Sequence, residues 1–231
     1  MKTAIYVVLL SFFVIAPKAQ EKSLAYGAYL KFSKTLWRKS VEKASGQFGG
    51  NSMEKAIALY GLLNNTMADK DEETFDLYFT ETVDLLKKLI KEQPENGDAM
   101  AILSSIYGLA ITYQPLKGIY YGSKSGRFIE QALEKSPDSP FVNYKYAGYK
   151  LYTPSMWGGD VDIAIDYFKK AIGSYESDNL TNEWHYLDAL MGLSIAYEKQ
   201  GDQAACTATL ERLIGIEPGH RWAQVSLSKK K

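Results

Sequence analysis

From about residue 20 onward, apolar side chains return every three or four positions, the spacing that lines one face of an α-helix. No stretch alternates convincingly in the two-residue period of a half-buried strand. The run from Asp71 to Glu92 shows the pattern best: Phe75, Tyr78, Phe79, Thr82, Leu85, Leu86, Leu89 and Ile90 fall on one side. Asp71, Glu72 and Glu73 open that run and Lys87, Lys88 and Lys91 close it, as the backbone dipole favours. Helix-breaking clusters recur at 46–50, 94–97, 115–118, 137–140, 154–159, 177–181, 201–202 and 218–219. The segments between them have ordinary helical lengths, which predicts about nine helices plus a short C-terminal one. Helices joined by short turns pack as antiparallel neighbours, so the expected architecture is an all-α succession of hairpins.

The hairpins repeat. In the last one, Leu190, Leu193, Ser194 and Tyr197 precede a Gly201-Asp202 turn, followed by Cys206, Leu210, Leu213 and Pro218. Small residues at Ser194 and Cys206 let two helices approach where they cross, larger ones fill the flanking gaps, and Pro218 ends the second helix. A preceding unit pairs Tyr144, Ala147, Gly148 and Leu151 with Ala164, Phe168 and Ala171, across a turn lengthened by Pro154-Ser155-Met156-Trp157. Another pairs Met100, Leu103, Ser104 and Tyr107 with Ser125, Ile129, Ala132 and Pro137, across a longer connection around Gln114 to Gly122. This spacing resembles the tetratricopeptide repeat superfamily, whose unit reads W-x2-L-G-x2-Y, then A-x3-F, then P. The resemblance is clearest over residues 97–219 and weaker from residue 20. It implies a right-handed α-solenoid of antiparallel hairpins, with residues 20–96 as degenerate N-terminal repeats and 220–231 as a capping helix and basic tail. The Pro154–Asp160 motif is also similar to one in exported bacterial repeat proteins, including subunits that accompany periplasmic solute transport.

The first residues read as an address. Met1-Lys2-Thr3 precedes an uncharged run from Ala4 to Ala16, too short at ~1.5 Å per residue to cross a hydrocarbon core of ~30 Å. This predicts a signal peptide over residues 1–19, cut after Ala19, no integral span afterwards, and a periplasmic or secreted protein. Lys+Arg and Asp+Glu number 27 each, an even balance that argues against a phosphate-neutralising, nucleic-acid-binding protein. With one Cys and two His, an intramolecular disulfide is impossible and a zinc cage of Cys and His is short of ligands.

In this superfamily the inner face, lined by the first helix of each unit, commonly grips a peptide or a partner's helix. Placed in register, that face is expected to carry Val142, Lys145, Tyr149 and Tyr152 from one hairpin and Asp188, Met191, Ile195 and Glu198 from the next. Aromatic rings suit such a role because they give large contact area with few rotors to freeze; gap-filling between units is the alternative use of the same rings. Lys145 matches one basic position of the carboxylate-clamp variant, but Tyr149 and Ile195 stand where Asn would be needed. The two long connections offer further ligand candidates: Tyr120 and Tyr121 in a glycine-rich flap over Gln114–Gly126, and Met156 and Trp157 on a Gly-Gly turn. Trp157 folding back as a plug is the competing reading.

Catalytic chemistry finds little support. Gly118 to Ser125 departs from the phosphate-loop spacing and follows a helix, not a strand. His185 and Asp188 share a helical face with Glu183 nearby, which surface charge explains as well as acid–base chemistry does. Cys206 reads as small packing filler and His220 as a turn imidazole. The expected function is an exported, non-catalytic scaffold without cofactor or metal, binding a protein or peptide in an envelope or transporter assembly. The alternative is a periplasmic accessory protein enclosing a small apolar or aromatic solute.

Overall fold

The computed structural model describes residues 22–47 and 52–230; the expected leader and the Gly49-Gly50 turn lie outside the described residues. Eleven α-helices, and no strand, occur among them: α1 (Leu24–Leu30), α2 (Lys34–Gln47), α3 (Met53–Asn65), α4 (Glu72–Glu92), α5 (Gly97–Tyr113), α6 (Gly118–Lys135), α7 (Pro140–Tyr152), α8 (Val161–Ser177), α9 (Trp184–Gln200), α10 (Gln203–Ile216) and α11 (Arg221–Ser228). The count exceeds expectation because α1 and α2 are separated by a turn without proline or glycine. There Phe32 adopts a left-handed backbone, φ 48°, and the Ser33 hydroxyl accepts from the Leu36 N–H.

Starts and stops are chemically specified. Asp71, Asn96, Ser139, Asp160 and Asp202 each accept a backbone N–H from the first turn of the helix they precede, satisfying donors that have no intrahelical partner. Helix α9 ends at Gly201, whose φ of 91° a side chain would strain, and the Asp202 N–H turns back to the Tyr197 carbonyl.

Every helix packs on its successor in the chain. At the α5–α6 crossing Ser104 donates to the Ser125 carbonyl at 2.8 Å, and at the α9–α10 crossing Ser194 and Cys206 are both buried. Between α7 and α8 the small partners are Ala147 and Ala164, both fully buried. Gly148 faces open space, so the close approach does not depend on that glycine. A different glycine is needed at the α8–α9 contact: a Cβ on Gly192 would lie 2.4 Å from the buried Phe168 ring.

The odd-numbered helices form an inner row in which α3 packs on α5, α5 on α7 and α7 on α9. That row closes, because α1 packs on both α3 and α9. Polar contacts reinforce the closure: Lys22 pairs with Glu217 at 2.6 Å and the Tyr26 hydroxyl donates to Glu217 at 2.8 Å, linking residues some 190 positions apart. The array is therefore an α-solenoid curled until its first helix meets its last turn.

Candidate functional site

Closure concentrates polar and aromatic side chains at the centre of the inner row. From α9, Asp188 accepts the Tyr29 hydroxyl of α1 at 3.0 Å on one oxygen, and the Tyr144 hydroxyl of α7 in a short hydrogen bond on the other. Lys145 donates to the Tyr144 hydroxyl at 3.2 Å, and its Nζ lies 3.5 Å from the centroid of the Tyr60 ring of α3 and 4.2 Å from that of Tyr144. His220 completes the group. Its Nδ1 accepts the Ala223 N–H as the cap of α11, so in the neutral ring the proton sits on Nε2, which faces the Tyr29 hydroxyl at 3.1 Å. Tyr29 thus accepts from His220 and donates to Asp188, and one phenol ties together α1, α9 and the turn before α11.

Burial governs the electrostatics. It pushes the Lys145 amine well below its ordinary 10.5, with Asp188 pulling the other way. It also lifts the Tyr29 and Tyr144 phenols well above 10, helped by the Asp188 charge, and raises Tyr60 in the same manner. His185 is held well below 6.5 by burial and then by Lys145; His220 is lowered by burial against the pull of Asp188. Trp184 packs Tyr29, Trp37 and Tyr60 around itself at ring separations of 5.3, 5.3 and 6.2 Å. Trp37 reaches it across Gly61, where an added Cβ would strike the indole at 2.3 Å.

Of the residues expected on an open inner face, Val142, Lys145 and Met191 are buried. For Lys145 the cover is the Tyr60 ring of α3, which lies over its amine. Asp188 is half-buried beneath two tyrosines. Tyr149 and Ile195 are half-buried and Tyr152 is 63% exposed, with its hydroxyl near enough to Asp188 to feel that charge. Glu198 stands apart, exposed and paired with Lys230 at 2.7 Å on the side of α11. The structure therefore gathers Lys145, Tyr152 and Asp188 and leaves Glu198 elsewhere. Tyr29, Tyr60 and His220 belong to the group but come from distant hairpins, and no local pattern marks them.

The long connections also differ from expectation. Gln114–Gly126 is not a flap: after a single 3-10 turn at Pro115–Lys117 the chain enters α6. Gly118, Gly122 and Gly126 lie four apart on one side of that helix, while Tyr121, Ser125, Ile129 and Ala132 form the buried stripe they obscured. Tyr121 is buried against Phe79 and Tyr107, whereas Tyr120 is exposed. In the other connection Trp157 is 61% exposed and Met156 81%, so neither plugs the turn. Gly159 is required there, since a Cβ would sit 1.7 Å from the Thr153 carbonyl oxygen.

The remaining chemistry is modest. His185 is not a surface residue: it is buried against Phe141 and Trp184, at ring separations of 4.7 and 3.9 Å, and its Nε2 has no hydrogen-bond partner. Burial raises the Cys206 thiol, the opposite of what activates a nucleophile. Among the described residues no group of three His, Cys, Asp or Glu side chains is placed to hold a metal ion, and no helix is long and apolar enough to cross a membrane.

Comparison with known proteins agrees with this architecture. Residues 188–220 match the tetratricopeptide repeat family. A thermophilic TPR protein of Thermus thermophilus has a similar structure, with a TM-score of 0.57 at 15% identity, covering 89% of this chain and 90% of that one. YrrB, a TPR protein described as having an unusual peptide-binding site, aligns over 88% of this chain and 86% of its own, at 17% identity and a TM-score of 0.45. No curated protein matches the sequence. The described residues thus form an all-α solenoid of hairpins similar in fold to a tetratricopeptide repeat protein, and the segment 188–220 carries the family match itself.

Proposed function

We propose that the protein is an exported, non-catalytic scaffold that binds a protein or peptide partner at the open rim of its inner face. One observation carries this reading: a hairpin array of the repeat class leaves Tyr152 exposed beside the half-buried Asp188, with Tyr149 and Ile195 partly accessible on the same two helices. An amphipathic ring next to a carboxylate held by two phenols offers apolar area and a hydrogen-bond acceptor together, the combination that makes aromatic anchors effective in interfaces. Helix α1 fills the opposite part of the face, so a partner engages the rim formed by the C-terminal halves of α7 and α9 and does not thread through the centre. Export is proposed from the charge and length of residues 1–19.

The reading is tested with a photo-cross-linking amino acid placed at position 152 in cells, and at the exposed position 77 of α4 as control. Capture of a discrete protein from 152 and not from 77, lost when Ile195→Ser is added, is the expected result. Failure of position 152 to capture anything that position 77 does not would end it.

A further inference from the structure

The short link between α6 and α7 makes those helices antiparallel, so α5 and α7 run the same way and the turns that follow them lie at one edge of the array. Both turns expose large apolar side chains. Leu116 is fully solvent-exposed and Ile119 is 79% exposed on the first, with Tyr120 beside them; Met156 and Trp157 protrude from the second. These are protruding turns, and the second follows directly on the end of α7 that carries Tyr152.

The charge around the first tip is basic. Residues 99–129 contain no Asp or Glu, and around the first tip they carry Lys117, Lys124 and Arg127. Lys124 Nζ lies 4.3 Å from the centroid of the Tyr120 ring, and Lys124, with Lys87 and Lys117 near enough to contribute, draws that hydroxyl below its ordinary value. At the second tip Lys150 donates to the Gly158 carbonyl at 3.1 Å. Two carboxylates stand there as well, Asp160 capping α8 and Asp162 accepting from Gln200 at 2.6 Å, so the basic charge of the edge comes from the first tip. The tips also bond internally. The Lys117 N–H reaches the Gln114 carbonyl, the Trp157 and Gly159 N–H groups reach Pro154, and the Gly158 N–H reaches Ser155. Backbone satisfied in this way can enter an apolar medium without the penalty of bare polar groups.

We infer that this edge docks on an anionic lipid surface, with Leu116, Ile119, Met156 and Trp157 entering the interfacial layer and Lys117 and Lys124 meeting the headgroups. Protruding Trp, Leu, Ile and Met flanked by Tyr and Lys is the chemistry of interfacial anchoring, in which aromatics sit at headgroup level and lysines are drawn to acidic lipid. The inference does not rest on a partner at the inner face and survives the failure of that reading.

Residues 4–16 are themselves apolar, so the test must report on the tips. The full chain is mixed with vesicles of phosphatidylcholine and phosphatidylglycerol carrying brominated acyl chains, and with brominated vesicles of phosphatidylcholine alone. The quenching that disappears in Trp157→Phe isolates the Trp157 signal from the other three tryptophans. Strong quenching of Trp157 on the acidic vesicles, weak on the neutral ones, is expected. Lys117→Gln with Lys124→Gln should weaken the acidic-vesicle binding that produces it by about fivefold per lysine. Leu116→Ser with Ile119→Ser should reduce it further while leaving circular dichroism unchanged, since both side chains point into solvent. Absence of Trp157 quenching on acidic vesicles overturns the inference. So does equal quenching on both compositions, or sedimentation showing that these side chains join two copies of the chain without lipid.

Discussion

Replacing Tyr29 by Phe keeps the ring beside Trp184 and removes only the hydroxyl through which α1 holds the far end of the array. The loss has two parts. A hydrogen bond to a charged acceptor contributes about 1.5–3 kcal/mol, and the Nε2–H of His220, itself 2% exposed, is left without a partner at about 1–3 kcal/mol. Together they predict a destabilisation of about 2.5–6 kcal/mol. With a denaturant slope near 3 kcal/mol per molar urea, reasonable for a chain of this size, the midpoint should fall by about 1–2 M in urea unfolding followed by circular dichroism. Tyr26→Phe is the internal comparison. Glu217 keeps Lys22 and the Gly219 N–H after that change, so the cost should stay near 1 kcal/mol. A double-mutant cycle between Tyr29→Phe and His220→Asn should show coupling of about 1 kcal/mol between residues 191 positions apart in sequence. A Tyr29→Phe effect under about 0.5 kcal/mol, or strict additivity in the cycle, would mean that α1 does not close the inner row in solution.

Four further outcomes follow from the same geometry. Gly192→Ala should lower stability by about 1–3 kcal/mol because Phe168 has no room to yield, whereas Gly148→Ala, facing open space in a helix, should be neutral or stabilising by up to about 1 kcal/mol; thermal melts separate the two. Lys145→Met removes a buried amine and leaves the Tyr144–Asp188 bond intact, so stability should hold or rise by about 1 kcal/mol in urea, and a loss above about 2 kcal/mol would show the amine to be net stabilising. His185 and His220 are both held below about 6.5, so the unfolded chain binds protons first on acidification. Stability is then full above pH 6.5 and is lost as the pH falls below it, and His220→Asn, which retains a capping acceptor for α11, should flatten that dependence between neutrality and about pH 5.

Most of the helical framework is legible in the residue pattern. The eight breaking clusters fall at or beside helix ends, because proline, glycine and capping carboxylates act within a few residues of where they stand. The α1–α2 break is silent in that pattern because it depends on Phe32 taking a left-handed backbone, which no residue type there announces. The flap expected at Gln114–Gly126 mistakes three glycines for flexibility. Spaced four apart, they lie along one flank of a helix, beside the buried stripe and facing Ile111 and Tyr149. Trp157 is open to two readings because its exposure depends on the direction of one turn.

What the sequence determined by itself is most of the helices, their order as antiparallel hairpins and the small-residue crossings at Ser104, Ser194 and Cys206, since each follows from contacts between neighbours in the chain. What only the tertiary structure decided is the curl of the array. Each hairpin adds a small rotation, and the sum determines whether α1 reaches α9. That sum covered Lys145 with Tyr60 of α3, and it brought Tyr29 and His220 to the neighbourhood of Asp188 from hairpins far apart in the chain.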